Sequence, residues 1–98
     1  MPDLRAPTLD EIRAAHARLL DQLNRIISSP TYADVVQDSI ITVRDGRYVI
    51  PIRAEARSKF RAIVHDQSQS GATLFVEPLQ TVETNNRWRE LQIDEQRE

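Results

Sequence analysis

The chain has 98 residues, of which 40% are hydrophobic and 29% are charged, and its formal net charge is −2. This length predicts one domain with a modest core, and the hydrophobic fraction excludes a disordered chain. The absence of any run of about 18 apolar residues excludes a transmembrane helix, and the absence of cysteines excludes disulfides and cysteine-based zinc sites. Because the N-terminus also lacks the pattern of a signal peptide, we expect a cytoplasmic protein without a membrane partner.

The positive charges are concentrated in the middle of the chain. Between Arg44 and Arg61 the local balance is +4, whereas residues 1–43, 62–78 and 79–98 each have a net charge of −2. The basic residues of this middle segment are Arg44, Arg47, Arg53, Arg57, Lys59 and Arg61. A basic middle between acidic ends favours an anionic partner, although an arginine-rich solvated face without a partner would give the same balance.

The first predicted element is a helix over residues 8–29. Thr8 and Glu11 have the spacing of a capping box, in which each side chain bonds an amide at the start of the helix. The residues that recur at three- and four-residue steps, and so form one apolar stripe, are Ile12, His16, Leu19, Leu23 and Ile26. Pro30 ends the helix because it disfavours helical geometry in the residue before it. Residues 31–38 predict a short helical turn.

The next segment predicts a β-hairpin with strands at 40–44 and 47–52 around the turn Asp45-Gly46. A two-residue loop sets the register and places Arg44 opposite Arg47. One face then holds Ile41, Val43, Tyr48, Ile50 and Ile52, and the other holds Thr42, Arg44, Arg47, Val49 and Arg53. Like charges directly opposite each other are destabilising, which favours an anionic group at this face.

The remaining segments complete a predicted α+β fold. A short helix or turn is predicted at residues 54–60, and two strands are predicted at 61–67 and 72–77. A helix is predicted at 79–98, and its pattern reaches the last residue without a capping glycine. Pro51 predicts an edge or a bulge in its strand, and Pro78 suits the first turn of the last helix. We therefore expect a single domain, residues 1–98, cut from a larger protein, with an antiparallel β-module of about four strands at 40–77 between an N-terminal and a C-terminal helix.

Four neighbouring polar residues, His65, Asp66, Ser68 and Ser70, invite comparison with a hydrolase triad. Neighbours on one strand point to opposite faces, and the segment lacks the strand–elbow–helix frame of a serine nucleophile. We interpret the four as a hydrogen-bonded turn and predict no catalytic residue. His16 and His65 have no recognisable metal-binding partners, and no glycine-rich phosphate loop is present, so we predict neither a metal nor a cofactor.

A long motif extends from the hairpin turn into the last helix. It comprises Gly46-Arg47-Tyr48-Val49-Ile50-Pro51, Ile63-Val64-His65-Asp66, Ser68, Ser70-Gly71-Ala72-Thr73-Leu74-Phe75, Glu77-Pro78 and Asn85-Asn86. This motif strongly resembles that of the bacterial MutS paralogues of the second type, called MutS-two. The resemblance covers residues 38–98 well and residues 1–37 only in pattern. Arg61-Ala62 departs from the glycine that the family usually has before Ile63.

The resemblance implies a module from the core and clamp region of a DNA repair and recombination-control ATPase, between its lever helices. The family is similar to mismatch-repair MutS, often ends in a nuclease domain, and is associated with branched DNA and, in some bacteria, with the rescue of collided ribosomes. The ATPase and nuclease motifs are absent from these residues, so we expect no enzymatic activity in them. We expect structural roles for the motif residues Gly46, Tyr48, Pro51, His65, Asp66, Ser68, Ser70, Gly71, Thr73, Phe75, Glu77, Pro78, Asn85 and Asn86.

Charge and resemblance together predict a non-catalytic module that contacts nucleic-acid backbone, either DNA or ribosomal RNA. Phosphate contacts require cations on a rigid scaffold and carry no sequence information. The residues predicted to make them are Arg44, Arg47, Arg53, Arg57, Lys59 and Arg61. Two alternatives are a scaffold or dimerisation module that binds the rest of the parent protein or a second copy, and a ribosome-contacting module of the same parent. We also expect the isolated chain to self-associate.

Overall fold

The computed structural model describes residues 7–96, with side chains described as far as Ile93. Its helices and strands are α1 (Leu9–Ile27), β1 (Thr42–Arg44), β2 (Arg47–Arg53), β3 (Ala62–Gln67), β4 (Thr73–Pro78) and α2 (Val82–Gln96). Short 3-10 segments occupy Pro30–Tyr32, Ala54–Lys59 and Leu79–Thr81. The predicted α+β class, with a four-stranded antiparallel sheet between two helices, is confirmed. The predicted extension of the last helix to residue 98 lies outside the described residues.

Helix α1 begins where the capping pattern predicts. Thr8 has extended geometry, and its side-chain oxygen accepts a hydrogen bond from the Glu11 amide at 3.1 Å. The lower part of the predicted stripe, Leu19, Leu23 and Ile26, is buried in the core. The helix ends at Ile27, two residues earlier than predicted, and the residue before Pro30 is extended as proline requires.

The sheet has the order β1-β2-β4-β3, and each neighbouring pair is antiparallel. The hairpin has the predicted register, with Arg44 opposite Arg47. Asp45 and Gly46 both adopt positive φ, 56° and 73°, which is the geometry of a two-residue turn that matches the twist of the strands. Strand β1 is shorter than predicted, because pairing begins at Thr42 rather than at residue 40.

Pro51 and Pro78 both lie in inner strands of the sheet. The Pro51 carbonyl accepts a hydrogen bond from the Gln37 amide at 3.0 Å, so the Pro51 nitrogen faces the side where β1 has already ended. The missing amide of Pro51 leaves no ladder bond unmade there, but β2 is an inner strand and its far side continues into a bridge between Val36 and Ile52, so the predicted edge at Pro51 is not found. The bulge lies instead in β3, between Val64 and Asp66. The predicted helix start at Pro78 is wrong, because Pro78 is the last residue of β4 and pairs with Ala62.

The core lies between α1 and one face of the sheet. The buried apolar residues of this cluster are Leu19, Leu23, Ile26, Val35, Ile50, Ile52, Ala56, Phe60, Leu74 and Val76. Burial of each large aliphatic side chain contributes about 1.5–3 kcal/mol. Val49 and Pro51, which point to the opposite face, are also buried, so the middle of β2 is covered on both faces. Val43, predicted on the apolar face, is 44% exposed. None of the described helices is long and apolar enough to cross a membrane.

Candidate nucleic-acid interface

The face of the sheet predicted to present arginines has a buried carboxylate at its centre. Glu77 in β4 is 1% exposed. Its Oε1 accepts a hydrogen bond from Arg47 Nε at 3.0 Å, and its Oε2 accepts one from Arg47 Nη2. His65 Nε2 lies 2.7 Å from the same Oε1, and His65 Nδ1 lies 3.6 Å from the Asp45 carboxylate. Arg47 is therefore held by a bidentate ion pair inside the fold.

Arg44 also has intramolecular partners. Its guanidinium lies 4.5 Å from the centre of the Phe75 ring, and its Nε donates to the Asp66 carboxylate at 3.1 Å. The like charges of Arg44 and Arg47 are thus each balanced by a carboxylate on β3 or β4. The anionic group expected at this face is supplied by the chain itself, so the arginine pair alone is no argument for an external anion.

The motif pair Asn85-Asn86 joins α2 to the hairpin. Asn85, which is fully buried, accepts a hydrogen bond from the Tyr48 amide and donates one to the Tyr48 carbonyl, both at 3.1 Å. Asn86 accepts a bond from Arg47 Nη1 at 2.7 Å. Tyr48 in turn contacts His16 of α1, whose Nε2 lies 2.7 Å from the tyrosine hydroxyl oxygen. These motif residues hold the hairpin against both helices.

The four residues that invited comparison with a triad are not assembled as one. Ser68 closes the β3–β4 loop, because its amide donates to the Thr73 carbonyl at 2.8 Å and its hydroxyl accepts from the Thr73 amide at 3.0 Å. Gly71 supplies the positive φ of 78° that this loop needs. His65 and Asp66 bond to Glu77 and Arg44 instead. Among residues 7–93, whose side chains are described, no three His, Cys, Asp or Glu side chains form a group that could hold a metal.

The other predicted cations lie around the 3-10 segment between β2 and β3. Arg53 donates to the Gln37 side chain at 3.3 Å and to the Asp34 carbonyl at 3.4 Å. Arg57, Lys59 and Arg61 are exposed, and no side chain in the described part of the chain pairs with them. The segment itself is anchored, because Ala56 and Phe60 are 4% and 6% exposed. Three of the six predicted cations therefore lie on or beside an anchored segment and have no partner among the described residues.

Two adjoining hollows near these cations were not predicted. The first, of about 470 Å³, is lined by Tyr32, Lys59, Phe60, Arg61, Leu79 and Gln80. The second, of about 290 Å³, is lined by Gln22, Arg25, Ile26, Ser29, Tyr32 and Gln80. They share Tyr32 and Gln80, and we call them together the Tyr32 trough. Its residues come from three distant segments, so no local sequence pattern could have identified it.

A third hollow, of about 480 Å³, lies between the two helices and is lined by Glu11, Ala14, Ala15, Arg18, Glu83, Thr84, Arg87 and Leu91. Alanines on its α1 side leave room between the helices, and charged residues of both signs surround it. We call it the interhelical groove. Its volume is in the range of a ligand cleft, but its lining is mixed rather than predominantly apolar.

The comparisons with known proteins agree with the motif. No family model matches the chain. The endonuclease MutS2 of Thermomicrobium roseum is 51% identical over 98% of this chain, and that of Pelotomaculum thermopropionicum is 50% identical over 95% of it. The endonuclease MutS2 of Clostridioides difficile is 54% identical over 79% of the chain. The chain spans 12% of the length of the first two relatives and 10% of the third. The chain therefore belongs to the MutS2 family and corresponds to a small part of such a protein.

Proposed function

We propose that this chain is a non-catalytic nucleic-acid contact module of a MutS2-like protein, and that Arg57, Lys59 and Arg61 hold the phosphate backbone. The observation that carries the proposal is the presence of three exposed cations within five residues on an anchored segment, without a described partner. The relatives are named endonucleases, which act on nucleic acid, and this fits an anionic polymer as the partner.

Electrostatics favours this segment over the hairpin face. Arg44 and Arg47 are already paired with Asp66 and Glu77, whose negative charges weaken the attraction of both arginines for a phosphate. Arg57, Lys59 and Arg61 have no such partner among the described residues, and a nucleic acid whose phosphates bind them releases condensed counterions. Glu55 is the single acid of the segment, so its net charge stays positive.

The proposal is tested by salt titration of binding to labelled duplex and branched DNA and to RNA. In the variant Arg57→Gln, Lys59→Gln, Arg61→Gln, the slope of log affinity against log salt should fall by about 1 for each cation removed, about 3 in all. The control variant Arg13→Gln, Arg18→Gln, Arg87→Gln removes the same charge from exposed helical positions and should leave most of the slope. If the slope falls equally in the two variants, the effect is one of net charge alone. Binding that does not depend on salt, or the absence of binding, would refute the contact.

The interhelical groove favours a second function, that of a scaffold for other parts of the parent protein or for a second copy. Its mixed charges, Glu11 and Arg18 on α1 and Glu83 and Arg87 on α2, suit a polar helix better than a phosphate chain. Leu9 and Ile93, 59% and 40% exposed, add apolar surface on the same two helices. Sedimentation of the chain alone separates the two functions. The groove is assigned to protein contacts if the chain self-associates, and if Ala15→Arg abolishes this self-association without changing the affinity for nucleic acid.

A further inference from the structure

The Tyr32 trough combines an aromatic ring with cations at both ends. Arg61 and Lys59 border the larger hollow, and Arg25 borders the smaller one. Among the described residues, no Asp or Glu lines either hollow, although Arg25 forms an exposed ion pair with Asp21 at 2.9 Å. The described lining of the trough is therefore positively charged, and the half-buried Tyr32 lines both of its hollows.

The Tyr32 ring is held in place by Phe60. It meets Phe60 edge to face, with ring centres 5.2 Å apart and an interplanar angle of 81°, and Phe60 is anchored in the core. The amide of Leu79 donates to the Arg61 carbonyl at 3.2 Å, which joins the two walls of the larger hollow. An aromatic platform that is ordered before binding loses little freedom when a flat ligand stacks on it.

We propose that the Tyr32 trough binds an unpaired nucleotide, whose base stacks on Tyr32 while its phosphates contact Lys59 and Arg61. This inference rests on the proposed function and extends it, since two of the same cations would hold the strand. Aromatic stacking tolerates any base, because every base has a π-face, and the Gln80 amide can bond a base edge without selecting one sequence. A base in a duplex is already stacked and reaches the ring only after costly extrusion. The trough thus confers a preference for single-stranded or unstacked nucleic acid.

The test compares the whole 98-residue chain with Tyr32→Leu and Tyr32→Phe, using a labelled oligothymidine of about 10 nucleotides and a blunt duplex. Tyr32→Leu keeps apolar contact with the core but removes the ring, and it should weaken oligothymidine binding about tenfold while changing duplex affinity by less than about twofold. Tyr32→Phe keeps the ring and should retain most of the affinity. Circular dichroism and thermal melting verify that both variants fold.

The outcomes separate this inference from the proposed function. The trough is refuted if Tyr32→Leu leaves the affinity for oligothymidine unchanged or lowers the affinities for oligothymidine and duplex equally. If the triple variant at Arg57, Lys59 and Arg61 still loses duplex binding in that case, the backbone contact stands. If the unaltered chain binds neither ligand, both proposals fall. Polyglutamate is added to the unaltered chain as a competitor at a charge concentration equal to that of oligothymidine. If it displaces oligothymidine, the trough is assigned to acidic protein segments and the proposal of a nucleotide ligand is overturned. Oligouridine in place of oligothymidine distinguishes RNA from DNA as the source of the base.

Discussion

Replacement of Glu77 by alanine removes the anion at the centre of the sheet face. The carboxylate is 1% exposed, and Arg47, its bidentate partner, has a side chain that is only 15% exposed. The change leaves the guanidinium and His65 without their shared acceptor, while Arg47 keeps its bonds to Asn86 and to the Val82 carbonyl. Loss of one partner of a buried pair costs about 3–5 kcal/mol. A domain of this size has a free energy of unfolding of about 5–15 kcal/mol, so the variant should lose a large share of its stability.

Urea unfolding followed by circular dichroism and by Trp88 fluorescence measures this loss. Glu83→Ala, an exposed change on α2, is the control and should cost less than about 0.5 kcal/mol. The variant Glu77→Leu with Arg47→Met replaces both charges by apolar groups and should be more stable than Glu77→Ala alone. A cost below about 1 kcal/mol for Glu77→Ala, or a paired variant less stable than the single one, would refute the view that Glu77 neutralises Arg47.

Two further predictions concern the motif. Gly46→Ala should destabilise the chain by about 1–2 kcal/mol because its φ is 73°, and the guanidinium of Arg89, the far end of a flexible side chain, moves away from the new methyl group at small further cost. Gly71→Ala, at φ 78° with open space around it, should therefore cost about the same. A much lower melting temperature for Gly46→Ala than for Gly71→Ala would contradict this. Asn85→Ala should cost about 2–3 kcal/mol, because it leaves the amide and carbonyl of Tyr48 without their partners. Hydrogen exchange at the Tyr48 amide checks this directly, and unchanged protection would contradict it.

Local chemistry made much of the fold predictable. The turn Asp45-Gly46 determined the hairpin register, because few residues tolerate two positive φ angles in succession. Thr8 and Pro30 bounded α1 within two residues, since both act on the backbone next to them. The interpretation of Ser68 as part of a turn also agrees with the structure, because its bonds reach only to the other end of the same loop.

The candidate site was less predictable, because it depends on residues that are far apart in the chain. Arg44 and Arg47 share a face as expected, but their partners Asp66 and Glu77 come from strands 22 and 30 residues away, and hairpin geometry contains no information about them. The predicted set of six cations therefore mixed side chains that hold the sheet together with side chains that have no partner in the described part of the chain. Likewise, Tyr32 belongs to the trough only because the Ala54–Lys59 segment brings Phe60 against it.

The bonds from Asn85 to both backbone groups of Tyr48 have a mechanical consequence. A helix that packs on a sheet through apolar contacts alone can slide or rotate at small cost, because such contacts are non-directional. Helix α2 is instead bonded to β2 like an additional ladder partner, and Arg47 ties the neighbouring turn of the helix to the same strand. A pull or a rotation applied along α2 is thus transmitted to the hairpin directly, whereas the described contacts of α1 with the hairpin are the His16–Tyr48 bond and apolar packing, which give way more readily.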